Sequence, residues 1–147
     1  MIQVPAGVRL LAGSAEALPA ADADADADFL RMGYALRHIG NLSAAFAEFH
    51  RVLRPGGRLC VLEITQPERP LPRLLLKAYL CIAMPAVAAV VARHRDMPDL
   101  MRYYCATIAA CVPPRVILGA LDQAGSVDVN RGVEHGVFSE YRARKPH

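Results

Sequence analysis

The stretch Arg51-Val52-Leu53-Arg54-Pro55-Gly56-Gly57-Arg58-Leu59-Cys60-Val61-Leu62-Glu63 decides the fold. It reads as the end of an amphipathic helix, a tight turn and a buried strand. Upstream, Asn41 is suited to cap a helix beginning at Leu42, because its side chain can accept from an unpaired first-turn N–H. Leu42, Ala45, Phe46, Phe49, Val52 and Leu53 then recur at the spacing of one helical face. Arg51 and Arg54 fall in its last turn, where the helix dipole favours cations, and Pro55-Gly56-Gly57 ends it. Leu59 to Ile64 is nearly all apolar, which predicts a central parallel strand covered on both faces. An earlier strand over Phe29-Leu30-Arg31-Met32, leaving through Gly33-Tyr34-Ala35-Leu36, completes a β-α-β unit.

With 147 residues the chain suffices for one domain with a real core and is too short for two. A hydrophobic content of 54% excludes disorder over most of it. The formal charge of +3 is modest; it permits a mild preference for anionic partners, but no nucleic-acid partner is expected, since that needs a clustered basic face. Cys60, Cys81, Cys105 and Cys111 form no Cys-x-x-Cys pair and have no histidine at ligand spacing, so no metal site is expected. They read as reduced, buried thiols, with a Cys105–Cys111 redox pair as the alternative. The alternating Ala-Asp tract, part of an acidic loop over 20–28, reads as solvated rather than metal-binding, since Asp is poor in strands.

The start lacks a basic region followed by an apolar one, so a cytoplasmic location is expected. The longest charge-free run, Ala78 to Ala92, contains Pro85 and falls short of the roughly 20 residues that a membrane span needs. The region 70–111 therefore reads as a helical cap, broken or kinked at Pro85, that covers one face of the sheet. Arg69, Arg73, Lys77, Arg93 and Arg95 flank its apolar part, which leaves a peripheral contact with anionic lipid, at the inner face of the membrane, as the alternative. Val8 to Ala12 reads as a short strand, Gly13 to Pro19 as a turn, Leu100 to Cys111 and Arg115 to Ala124 as helices, and Val127–Arg131 with Val137–Arg142 as an antiparallel pair.

These pieces carry a family likeness. Arg51 to Leu59, followed by Val61-Leu62-Glu63-Ile64-Thr65, resembles the Arg-Val-aliphatic-Lys-Pro-Gly-Gly … Glu-x-Ser signature of the ubiquinone/menaquinone-biosynthesis C-methyltransferases. Arg54 stands for Lys and Thr65 for Ser. In the same order, Ala15-Glu16-Ala17-Leu18-Pro19 resembles the family's Ala-Glu-Ala-Leu-Pro turn, Gly33 to His38 its Phe-Gly-Leu-Arg-Asn segment, and Met101-Arg102-Tyr103 its Tyr-Arg-Tyr helix.

The resemblance implies an α/β fold: the C-terminal part of a Rossmann-like class I methyltransferase sheet, mostly parallel with a terminal antiparallel strand pair. The family's first two strands, with its glycine-rich turn and ribose-binding acid, have no counterpart here, so a single partial, N-terminally truncated domain over 1–147 is expected. Such a domain is a fragment, a dimer or paralogue complex that pairs through its open sheet edge, or a rearranged sheet joining Val8–Ala12 to Phe29–Met32.

Implied too is methyl transfer from S-adenosylmethionine to a small aromatic or prenylated quinone-precursor acceptor. The competing reading is an inactive fragment serving as a dimerisation or partner module. In such sheets ligands lie beyond the carboxyl ends of the strands. There the resemblance places Ser14 and Ala15 against the adenine, and Gly33 and Tyr34 beside the sulfonium, with weakened binding in the absence of the glycine turn. Arg37 would stabilise a phenolate, His38 would act as base, Tyr103 would border the acceptor, and Glu63 would orient neighbouring backbone.

Overall fold

The computed structural model describes residues 11–20, 26–65, 69–91 and 111–147. The strands are β1 (Ala27–Gly33), β2 (Leu53–Ile64), β3 (Val127–Glu134) and β4 (Phe138–Arg144). The helices are α1 (Leu42–Val52), α2 (Pro70–Ala78), α3 (Met84–Val91) and α4 (Pro114–Gln123). A 3-10 turn covers Leu36–His38, and a π-helical turn, Tyr79–Ala83, joins α2 to α3.

The four strands form one mixed sheet in the order β1-β2-β4-β3. Only β1 and β2 run parallel, with Leu30 opposite Leu59 and Met32 opposite Val61. Among the described residues the sheet is thus not mostly parallel. The β3–β4 hairpin reverses the chain and inserts β4 antiparallel between β2 and β3. The expected terminal antiparallel pair is present, and longer than its sequence suggests.

The core lies between the sheet and α1 with α4. Asn41 caps α1 through Oδ1, which accepts from the Ala44 N–H at 3.1 Å. Ala45, Phe46, Phe49 and Val52 are buried on its inner face, with the rings of Phe46 and Phe49 edge to face at 5.9 Å. From α4 come Ile117, Ala120 and Leu121, and from the sheet Leu59, Val61, Tyr141 and Ala143. Each large apolar side chain so buried contributes about 1.5–3 kcal/mol. Both helices cover the same face. On the other, Phe29 and Arg31 are exposed, so the expected double coverage of β2 is not seen among the described residues.

The helix before Pro55 ends at Val52, two residues earlier than Arg54, and Pro55-Gly56-Gly57 belongs to β2 rather than to a separate turn. The reason is a bulge. Ala27 faces Leu53 but Phe29 faces Arg58, so β2 takes up extra residues there. Gly56 supplies a φ of 78°, a left-handed value that favours glycine. Lys145 locks the bulge by pairing its backbone with Gly56 and Gly57. Its ammonium also donates to the carbonyls of Leu53 at 2.7 Å and Arg51 at 3.4 Å, so it serves as the cation at the C-terminus of α1. Arg51 instead pairs with Glu48, and Arg54 with Asp28.

Other expectations change as well. Ala27 and Asp28 lie in β1 rather than in the acidic loop, because the parallel pairing begins at Ala27. Leu11 and Ala12 are not in a strand, while Val8 to Leu10 fall outside the described residues. The Gly13–Pro19 turn is present, with Ala17 N–H bonded to the Ser14 carbonyl at 3.1 Å.

Pro85 does not break the helix. Proline has no N–H and its ring crowds the carbonyl four residues back. The preceding turn widens, so that the Met84 N–H reaches the Tyr79 carbonyl, five residues back. Nor does α2 cover the sheet, for none of its side chains is buried. The segment 92–110, with Tyr103 and Cys105, lies outside the described residues, and Cys111 is not helical. Neither Cys60 nor Cys111 is in a disulfide, which excludes the Cys105–Cys111 pair, whereas Cys81 is disulfide-bonded rather than reduced.

Candidate functional site

The chemistry-bearing residues gather where β1 and β2 end. β1 leaves the sheet through Gly33 into Tyr34, whose φ of 56° is unusual for a bulky residue. Its N–H is fixed to the Leu62 carbonyl at 2.8 Å. The chain thus turns sharply at the carboxyl edge and leaves Tyr34 43% exposed. A Cβ built on Gly33 would meet no atom within 4 Å. The 3-10 turn follows, burying Leu36 and turning Arg37 inward, while His38 stays exposed.

Glu63, next to last in β2, is 2% exposed. Its Oε1 accepts from Arg37 Nη1 at 3.3 Å and from the Ile64 N–H at 2.9 Å. A buried carboxylate demands a cation, and Arg37 supplies it across the strand ends. Thr65, on the same side of the chain as Glu63, sits 2.6 Å from Ser139 through their hydroxyls. Arg131 donates to both, from Nε to Ser139 at 3.0 Å and from Nη2 to Thr65 at 3.2 Å.

This cluster has spare hydrogen-bonding capacity. Arg37 Nε, Glu63 Oε2 and the Tyr141 hydroxyl are buried without a partner among the described residues. Burial pushes the Tyr141 hydroxyl pKa up, only partly opposed by Arg131. The Cys111 thiol, which donates to the Ile64 carbonyl at 3.1 Å, is pushed up by burial first and by the charge of Glu63 second. Beside the cluster a cleft of about 490 Å3 opens, lined by Arg31, Tyr34, Leu62, Glu63, His135 and Ser139 among others.

The turn carrying Ser14 and Ala15 is docked at the start of α1. Glu16 Oε1 accepts from the Asn41 N–H at 2.6 Å, and Glu48 Oε2 from the Leu18 N–H at 3.1 Å. Ser14 Oγ, exposed, accepts from the Glu16 N–H at 3.2 Å. The structure therefore brings together Gly33, Tyr34, Arg37 and Glu63, holds Ser14 and Ala15 on an anchored turn, and leaves His38 on the surface without a side-chain hydrogen bond among the described residues. Tyr103 falls outside them.

Sequence reasoning missed Arg131, Ser139, Tyr141 and Cys111, whose places follow from the hairpin and the chain entering α4. One signal was readable: a glutamate inside an apolar strand calls for a cation, and Arg37 is near the end of the neighbouring strand. Among the described residues no group of three His, Cys, Asp or Glu side chains is arranged to hold a metal ion.

The model of the ubiE/COQ5 methyltransferase family matches residues 3–135. The demethylmenaquinone methyltransferase of Paenarthrobacter aurescens is 35% identical over 140 residues, which cover 95% of this chain and 53% of that protein. The ubiquinone/menaquinone biosynthesis C-methyltransferase of Syntrophotalea carbinolica is 33% identical over 139 residues, covering 91% of this chain and 54% of that one. The chain thus spans about half the length of the curated relatives it matches. In fold it is similar to a SAM-dependent methyltransferase of Thermotoga maritima, with a TM-score of 0.62 at 22% identity over 95% of this chain and 65% of that one. A SAM-dependent methyltransferase of Aquifex aeolicus gives 0.57 at 17% identity, over 95% and 55%.

Proposed function

The chain belongs to the ubiE/COQ5 methyltransferase family, a family of S-adenosylmethionine-dependent C-methyltransferases, and on that premise we propose that it methylates a ring carbon of a small aromatic or quinone-precursor acceptor. The observation that carries this reading is the buried Arg37–Glu63 pair set against the exposed Tyr34 at the carboxyl ends of two parallel strands. Ligands of such sheets lie there.

The residues present fit part of the cofactor. Gly33 offers open backbone, Tyr34 an exposed ring, and Ser14 with Ala15 an anchored turn for the adenine. When bound, S-adenosylmethionine supplies an electrophilic methyl group on a sulfonium. The chain's own part is to make the acceptor electron-rich and to orient it. Arg37, held by Glu63 through one N–H, keeps others to stabilise a phenolate oxygen. His38, exposed beside it, serves as the base. Holding both partners in line supplies most of the acceleration.

A calorimetric titration with S-adenosylhomocysteine, run together with a measurement of mass in solution, tests this reading. Micromolar binding that Gly33→Ala weakens supports it. No binding at millimolar ligand sinks the stand-alone enzyme.

One observation favours a second reading. β1 ends the strand order, so its outer edge is open among the described residues. Pairing there with a second copy or a full-length paralogue would make the chain a partner module without cofactor affinity. A monomeric mass at every concentration, with no complex formed by a full-length relative, would exclude it.

A further inference from the structure

We infer that the helix from Pro70 to Val91 docks on an anionic lipid bilayer, lying along its surface. Leu71, Leu74 and Leu75 follow one another at helical spacing and are 65%, 64% and 61% exposed, and Ile82 further along is 68% exposed. Leu75 also lines, with Arg69, Pro72, Leu76 and Tyr79, an open cleft of about 620 Å3 that Val133 and Val137 of the β3–β4 hairpin line from the other side. Leu71, Leu74 and Ile82 lie outside that lining and face away from the protein's own side chains. Continuous exposed apolar surface of this kind marks an interaction site.

Charge identifies the occupant. Arg69, Arg73 and Lys77 recur every four residues, are exposed, and form no ion pair among the described residues. No Asp or Glu occurs between Pro70 and Val91. An apolar face on a helix whose opposite face carries three cations and no acid matches acyl chains beneath acidic headgroups. A second copy of the chain fits less well, because a two-fold contact would bring the same cations of both copies together. The segment Pro70–Val87 has the length and hydropathy of a membrane span. Arg73 and Lys77 lie inside it, however, and a helix lying in the interface keeps both at headgroup level.

The test uses the whole chain and is independent of methyl transfer. Flotation is measured with vesicles of phosphatidylcholine alone and of phosphatidylcholine with phosphatidylglycerol, at low and high salt. The variants are Leu74→Ser with Ile82→Ser, and Arg73→Glu with Lys77→Glu. All four side chains are exposed, and far-ultraviolet circular dichroism confirms that the variants fold. The expected result is flotation with phosphatidylglycerol vesicles only, reversed by salt, and weakened about tenfold or more in each variant. The inference is overturned if the chain does not float, or if the variants float like the parent. Binding that resists alkaline carbonate would make the helix a span and also overturn it. So would a dimer in solution that Leu74→Ser with Ile82→Ser converts to a monomer, since the stripe would then join two copies.

Discussion

Arg37 and Glu63, 26 positions apart, meet at 3.3 Å with side chains only 12% and 1% exposed, and so tie the exit of β1 to the end of β2. The contact ranks as structure before it ranks as chemistry. A carboxylate this deep is tolerated only with its cation and its backbone donor in place.

Removing one partner should therefore cost more than removing both. Arg37→Met leaves Glu63 uncompensated and is expected to destabilise the fold by about 3–5 kcal/mol, most of which returns in Arg37→Met with Glu63→Leu. Urea unfolding of the three variants measures this, with Glu63→Leu as the third. Equal losses in the single and double variants would show that the pair does not act as a unit.

Stability should fall on mild acidification because of His50. Burial, and then the charge of Lys145, hold its pKa down, below the ordinary value of about 6.5. As pH drops through that value the unfolded chain gains a proton that the folded chain refuses. The stability is thus complete above about 6.5 and is lost as pH falls toward and through the folded pKa. Urea midpoints between about pH 8 and pH 5 should show this slope, and His50→Gln should flatten it. Glu48 and Glu140, whose pKa values are lowered by Arg51 and Arg142, act only in the more acidic range.

Two glycines should respond differently to the same substitution. A Cβ on Gly57 would stand 2.8 Å from the carbonyl oxygens of both Ala27 and Arg54, which are backbone atoms that cannot swing away. Gly57→Ala is expected to cost about 1–3 kcal/mol. Gly33→Ala, with open space around it, should stay within about 0.5 kcal/mol. Thermal melts separate the two. Weaker S-adenosylhomocysteine binding in a fully stable Gly33→Ala would locate the cofactor at that opening.

Neither the Cys60 nor the Cys111 thiol should alkylate readily in the folded state. Burial raises the pKa of Cys60 and of Cys111, and the neighbouring carboxylates of Glu140 and Glu63 raise them further. Since the thiolate is the nucleophile, iodoacetamide at mildly alkaline pH should label both at least about tenfold more slowly than in urea. Rapid labelling of Cys111 would mean that the Glu63 cluster opens to solvent.

Several features were legible because they rest on local rules. Asn41 as a cap, the Ala45-Phe46-Phe49-Val52 face, the strand through Val61 and the final hairpin follow from spacing and side-chain chemistry. The family signature was legible for the same reason, since Pro55-Gly56-Gly57 and Glu63 lie close together in sequence. The end of α1 was misjudged by two residues because a bulge depends on a partner strand, and the periodicity of Leu53 is equally that of a helix.

The candidate site divides along the same line. The sequence by itself determined most elements, the inward face of α1 and the glycine at the end of β1, because those are properties of neighbours in the chain. Only the tertiary structure decided that Arg37 answers Glu63, that Arg131 bridges Thr65 and Ser139, and that Lys145 closes α1. It also decided that Leu71, Leu74 and Leu75 of α2 are exposed. The physical reason is distance along the chain. Hydrophobic period and capping act over a few residues, whereas a buried charge is satisfied by whatever group the fold brings to it, and periodicity alone does not say which side of an apolar helix has a partner.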